Sequence, residues 1–186
     1  MADQVRSDAL RQLEADIIDK KQVLFERYRS ETYETVRDYT LMRSDGSRVQ
    51  LSELFGDHDD LILVYNMGTT CSYCTMWADG FNGLLDYLES RAAFVVCSPD
   101  PPEVQRAFAS KRGWSFPMVS CDDSSFFSEM GFESSMSDRA DISTFYRDRD
   151  STIKRVASRE FFPFDDYNPV WNMFGLLKDG LDGWRP

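Results

Sequence analysis

The chain has 186 residues, 42% of them hydrophobic and 14% aromatic, which suits one globular domain with a sizeable core and argues against a second independent one. Its net charge of -11 argues against a general binder of phosphate backbones, since such proteins gain affinity by setting Lys and Arg against phosphates. Asp3, Arg6, Asp8, Arg11, Glu14 and Asp16 interrupt the first apolar positions, so neither a secretory segment nor a membrane span is expected there and the reading is a cytoplasmic protein.

In chain order, Leu10, Leu13, Ile17, Leu24 and Tyr28 recur at helical spacing and predict an amphipathic helix from Ser7 to Tyr28. Its stripe is expected to dock on the domain's own core, with a homodimer contact as the alternative. Tyr39 to Met42 and Arg48 to Leu51 flank an Asp45-Gly46 pair suited to a hairpin turn, and a helical turn follows to Phe55. Leu61 to Asn66 reads as a strand buried on both faces, central in a sheet. A helix is then predicted from Cys74 to Leu88, with Trp77, Phe81, Leu84, Leu85 and Leu88 on its buried face, before a second buried strand from Ala93 to Cys97. Strand, helix and strand make a parallel βαβ unit. A second unit follows, with a helix from Pro102 to Lys111 and a strand from Phe116 to Ser120. Ile142 to Arg147 and Thr152 to Ala157 read as an antiparallel hairpin, and Glu160 to Pro186 as a surface wrap with a short helix at Trp171 to Lys178.

Cys71, Ser72, Tyr73 and Cys74 fall where the first buried strand passes into the helix. Free backbone N–H groups and the positive end of the helix dipole lower a cysteine pKa at that position. Cys71, nearer the cap, is expected to attack, and Cys74, one turn in, to resolve the mixed disulfide; this dithiol exchange needs no bound cofactor. The substrate would be a disulfide-containing protein or a small thiol. The same spacing also serves zinc and iron-sulfur sites. Cys97 and Cys121 lie at the same strand ends, Cys97 within reach of the pair and Cys121 two strands away; both read more simply as small buried hydrophobes. No imidazole is available as a base, because His58, the sole histidine, precedes the strand at its opposite end. Tyr73, Trp77 and Trp114 are candidates for a substrate rim, with Trp77 also fitting a core position. Asp79 and Arg147 are candidate charges near the site, each reading more simply as a solvated residue.

The segment from Tyr39 to Pro99, with Gly113 to Pro117 and Phe145 to Asp148, resembles the thioredoxin-like branch that includes peroxiredoxins and thiol-disulfide carriers. More narrowly, Cys74, Trp77 to Gly83, Gly113 to Pro117, Phe145 to Asp148 and Asn168 to Trp171 resemble a bacterial family of unknown function, number 899. The resemblance implies a thioredoxin-like α/β fold: a three-layer αβα sandwich on a central mixed sheet at residues 36–186, an N-terminal helical extension at residues 1–35, and an irregular C-terminal segment. It also departs from better known relatives. Asp141, Ile142 and Ser143 stand where thioredoxins carry a proline facing the disulfide, and the Pro and Thr that precede the reactive cysteine of peroxiredoxins are missing upstream of Cys71 and Cys74. The leading expectation is a thiol-disulfide oxidoreductase; the alternatives are a binding protein that keeps the scaffold, supported by the missing proline, and a zinc or iron-sulfur site on the same cysteines.

Overall fold

The structure is a computed structural model and describes residues 7–31, 33–132 and 140–186. It divides into two compact units, residues 1–33 and 34–186. The first unit is helix α1 (Asp8–Ser30), whose Ser7 side chain caps the N–H of Leu10 and whose last turn carries Arg27 and Arg29, cations favoured at a helix C-terminus. No α1 residue is buried.

The second unit is built on one sheet. Its strands are β1 (Glu34–Val36), β2 (Thr40–Arg43), β3 (Arg48–Gln50), β4 (Asp60–Tyr65), β5 (Ala93–Ser98), β6 (Met118–Ser120), β7 (Asp141–Arg147) and β8 (Ile153–Glu160), ordered β1-β8-β7-β4-β5-β6-β2-β3. β4, β5 and β6 run parallel, joined by α2 (Ser72–Asn82) and α3 (Leu85–Glu89) in the first crossover and α4 (Pro102–Arg112) in the second. The remaining pairings are antiparallel, so the sheet is mixed. A short 3-10 turn (Leu51–Phe55) and the helices α5 (Phe126–Glu129) and α6 (Pro169–Gly175) complete the unit.

The two-residue period of the strands sorts the core into two clusters. Leu61, Leu63 and Tyr65 of β4 and Val95 and Cys97 of β5 join Phe55, Phe126 and Phe145 in one. Val64, Phe94, Val96 and Met118 join Trp77, Ala78 and Phe81 of α2 and Trp171 of α6 in the other. β4 is therefore central, as its apolar run predicts.

The elements depart from the sequence reading in several places. The helix predicted from Cys74 to Leu88 is two helices, broken at Gly83 and Leu84. Asn82 explains the break: its side chain donates to Gly113 O and accepts the Ser115 N–H, anchoring the end of α2 to the loop after α4. Gly80 and Gly83 weaken helix propensity there, and Leu84, expected on the buried face, is exposed. β1 and α5 have no counterpart in the reading. The C-terminal helix starts earlier, at Pro169, because Asn168 accepts the Val170 N–H and proline suits the first helical position.

Candidate active site

Cys71 is the N-cap of α2, in extended conformation (φ -92°, ψ 105°), and its Sγ accepts the Cys74 backbone N–H at 3.1 Å. Its carbonyl accepts both the N–H and the hydroxyl of Thr75. Cys71 is half-buried and Cys74 buried, the order of exposure expected for an attacking and a resolving sulfur. The Cys74 thiol donates to Cys71 and, with the N–H groups of Cys74 and Tyr73, lowers the Cys71 pKa to about 6 against the opposing effect of burial. Cys74 moves the other way, its proton held by the bond to Cys71 and by burial. The charge is thus concentrated on the outer sulfur.

The loop before Cys71 is held from two sides. Asn66, buried at the end of β4, accepts the Gly68 N–H at 2.8 Å and reaches toward Cys74 O at 3.5 Å. Asp100, beyond β5, accepts the Thr69 N–H at 2.8 Å. Gly68 has φ +100°, and a Cβ there would stand 2.9 Å from both Asp100 carboxylate oxygens, so a side chain is excluded by backbone and by space.

Beside the dithiol opens a cleft of about 730 Å³, within the range of small-molecule sites. Thr69, Thr70 and Ser72 form its rim, Met76 and Gly80 of α2 one wall, and Asn168, Val170, Phe174 and Trp184 the other. Asn168 clasps the two walls by donating to Met76 O at 2.9 Å, an approach that the missing side chain of Gly80 permits.

The three aromatic candidates lie at different depths. Tyr73, half-buried, has its ring 6.0 Å from Trp171 and 6.2 Å from Trp77. Trp77 is 4% exposed and donates its indole N–H to Asp165, which places it in the core beneath the pair. Trp114 packs edge-on against Phe108 and donates to Asp79. Asp79 is not simply solvated: Arg112 pairs with it through two nitrogens at the side of the cleft and, despite partial burial, these donors hold its carboxyl below the usual range. Arg147 serves the other end of the sheet, donating to the carbonyls of Ser52, Gly56 and His58.

Cys97 does not approach the dithiol. Its side chain lies in the cluster on the opposite face from Cys74, and its partner is Cys121, brought alongside by the parallel register of β5 and β6. The Cys97 thiol donates to Cys121, which raises the pKa of the first and lowers that of the second. The four sulfurs therefore form two pairs separated by the sheet, and among the described residues no group of three or more His, Cys, Asp or Glu is placed to hold a metal ion. Asn66, Asp100 and Asn168 are the site residues that sequence reasoning missed; their partners lie 2 to 92 positions away and leave no periodic signal.

A curled mixed sheet with a cysteine capping the helix after its central strand defines a member of the thioredoxin/peroxiredoxin-like superfamily. Over residues 7–182 the chain matches the family described as bacterial protein of unknown function (DUF899), and it belongs to that family. It is 29% identical over 134 residues to Rv1608c, a Mycobacterium tuberculosis protein assigned to the peroxiredoxins, a match spanning 70% of this chain and 86% of that one. Among solved structures it resembles peroxidoxin BcpB from the same organism (TM-score 0.55, 26% identity, 70% of this chain and 85% of that one). It also resembles a PrxQ variant from Xylella fastidiosa (TM-score 0.59, 19% identity, 77% and 94%), a likeness of fold. These relatives support a thiol-based redox function. Among the described residues no helix is long and apolar enough to cross a membrane.

Proposed function

We propose that the protein is a thiol-disulfide oxidoreductase working through Cys71 and Cys74. The observation that carries this reading is the polarised pair itself: one half-exposed sulfur with its pKa lowered to about 6, hydrogen-bonded by a buried thiol one turn away. The Cys71 thiolate attacks one sulfur of a substrate disulfide, forming a mixed disulfide and releasing the other half as a thiolate. The bond to the Cys71 thiolate, the main cause of the high Cys74 pKa, disappears at that moment, so Cys74 releases its proton more readily. The Cys74 thiolate then attacks Cys71 Sγ and expels the second substrate thiolate. Substrate has gained two electrons and the pair has become a disulfide. Tyr73 and the hydroxyl rim of the cleft are the substrate-facing groups on this reading, with Trp77 and Trp114 supporting them from behind.

The test is equilibration in graded glutathione buffers, alkylation of free thiols, and detection of the Cys71–Cys74 disulfide by peptide mass spectrometry. A reversible transition supports the mechanism; no disulfide across the whole range overturns it. The peroxiredoxin relatives favour a second reading, in which Cys71 attacks a hydroperoxide, an alcohol or water leaves, and Cys74 condenses with the resulting sulfenic acid to give the same disulfide and water. Peroxide consumption by the reduced protein, measured beside reduction of a small disulfide, separates the two.

A further inference from the structure

We propose that Asp100 is a positioning residue for Cys71, and that a small cavity behind it binds one water joining it to the buried Gln105. The proposal rests on Cys71 being the nucleophile. Its test reads the acidity of that thiol rather than turnover, so the two readings fail separately.

Three observations meet at this place. First, the extended conformation that lets Cys71 cap α2 depends on the turn before it, where the Cys71 N–H bonds Gly68 O at 3.2 Å. That turn is fixed from outside by the Asp100 carboxylate on the Thr69 N–H, and Gly68 lacks the side chain that would push the carboxylate away.

Second, Gln105 of α4 is 1% exposed, and among the described residues its Oε1 has no hydrogen-bond partner. Its Nε2 faces Ser98 O at 3.3 Å, Ser98 Oγ at 2.8 Å and Val119 O at 3.0 Å. Two of these are carbonyls, which only accept, so the amide cannot be turned over and Oε1 must look elsewhere for a donor. A buried acceptor without a donor costs about 1–3 kcal/mol.

Third, Gln105 lines a cavity of about 10 Å³ whose polar side is Asn66, Gly68, Thr69, Ser98 and Asp100 and whose other side is the apolar Phe108, Trp114 and Met118. That volume is at the lower bound for one water, and the polar side, with Asn66, Ser98 and Asp100 beside Gln105, holds the two to four partners a water needs. The ligand chemistry required is a small neutral donor that gives one proton to Gln105 Oε1 and a second to an acceptor on the loop side. Water meets it. Ser98 Oγ completes the chain on the protein side, sharing Gln105 Nε2 and facing the Asp100 N–H at 3.4 Å. The backbone of the Cys71 loop is thereby connected through Asp100 to a side chain locked inside α4. The titratable group facing the Cys71 sulfur itself is the Cys74 thiol, so Asp100 acts through the loop and not as a charge on the thiolate.

The experiment follows the pH midpoint of Cys71 alkylation in the full-length reduced protein, with thermal melts to show that each variant is folded. Asp100→Ala removes the acceptor and the milder Asp100→Ser leaves a hydroxyl one bond too short for the Thr69 N–H; both are expected to raise the midpoint from about 6 by about one to two pH units toward an ordinary thiol. Asp100→Asn keeps an oxygen acceptor without the charge and is expected to restore the midpoint. A folded Asp100→Ala or Asp100→Ser protein with an unmoved midpoint overturns the positioning role. So does a fall in the midpoint, which would mark the carboxylate as a negative charge acting directly on the thiolate, or an Asp100→Asn shift as large as that of Asp100→Ala, since the amide oxygen keeps the acceptor that the role requires. A crystal structure at high resolution tests the water: density within hydrogen-bond distance of Gln105 Oε1 supports it, and a dry cavity or a protein donor on Oε1 overturns it.

Discussion

At the scale of single residues the candidate site concentrates negative charge on one of its two sulfurs. Cys74→Ala removes the strongest of the bonds that lower the Cys71 pKa, so the alkylation midpoint is expected to rise above 6 and, on the proposed mechanism, an unresolved mixed disulfide to accumulate on Cys71. Asp141 shows the reverse balance. It is buried at the start of β7, where Ser143 and Ser158 donate to it, and burial outweighs those bonds and raises its pKa. A carboxyl whose folded pKa is raised favours folding below its unfolded value and loses that contribution as pH rises through the folded pKa. Asp141→Asn is therefore expected to melt at or above the native temperature at pH 7.5, with the advantage shrinking on acidification; a lower melting point at pH 7.5 would refute this. The cysteine pair was legible because its spacing and place after a buried strand are local facts. Asp100 was not, because its bond to Thr69 spans 31 positions and nothing near Asp100 in the chain marks it.

At the scale of elements, what was legible follows from burial. β4 and β5 announce themselves as apolar runs because both their faces are covered, whereas β1 has three residues of which one is buried, and no period can form over that length. The break between α2 and α3 is a tertiary decision taken by Asn82, and the apolar spacing from Trp77 to Leu88 runs through it undisturbed. α6 depends on one residue more than its length suggests: Asn168 both caps it and clasps α2. Asn168→Ala loses the cap and leaves Met76 O without that donor, an expected destabilisation of about 1–2 kcal/mol by denaturant titration.

Across the whole molecule the sheet acts as a partition. Phe145 and Trp171 are both fully buried aromatics, in different clusters, and truncating either to Ala is expected to cost about 3–5 kcal/mol in stability. Their effects on the site should differ. Trp171 lies 6.0 Å from Tyr73 in the site-side cluster, so Trp171→Ala should also move the Cys71 midpoint, while Phe145→Ala, across the sheet, should leave it in place. The α/β class and the parallel β4-β5-β6 core were readable from alternating elements. The sheet order beyond them was not, because β1 and the β2-β3 hairpin join the sheet through β8 and β6, strands distant in the chain.

The burial of three sulfurs and the half-exposure of the fourth make Cys71 a natural handle for chemistry from outside. A maleimide dye or spin label offered to the native reduced protein should add once and the same reagent after denaturation four times, so a single-site conjugate can be prepared from the unaltered chain with the reporter between Thr70 and Ser72 of the cleft rim.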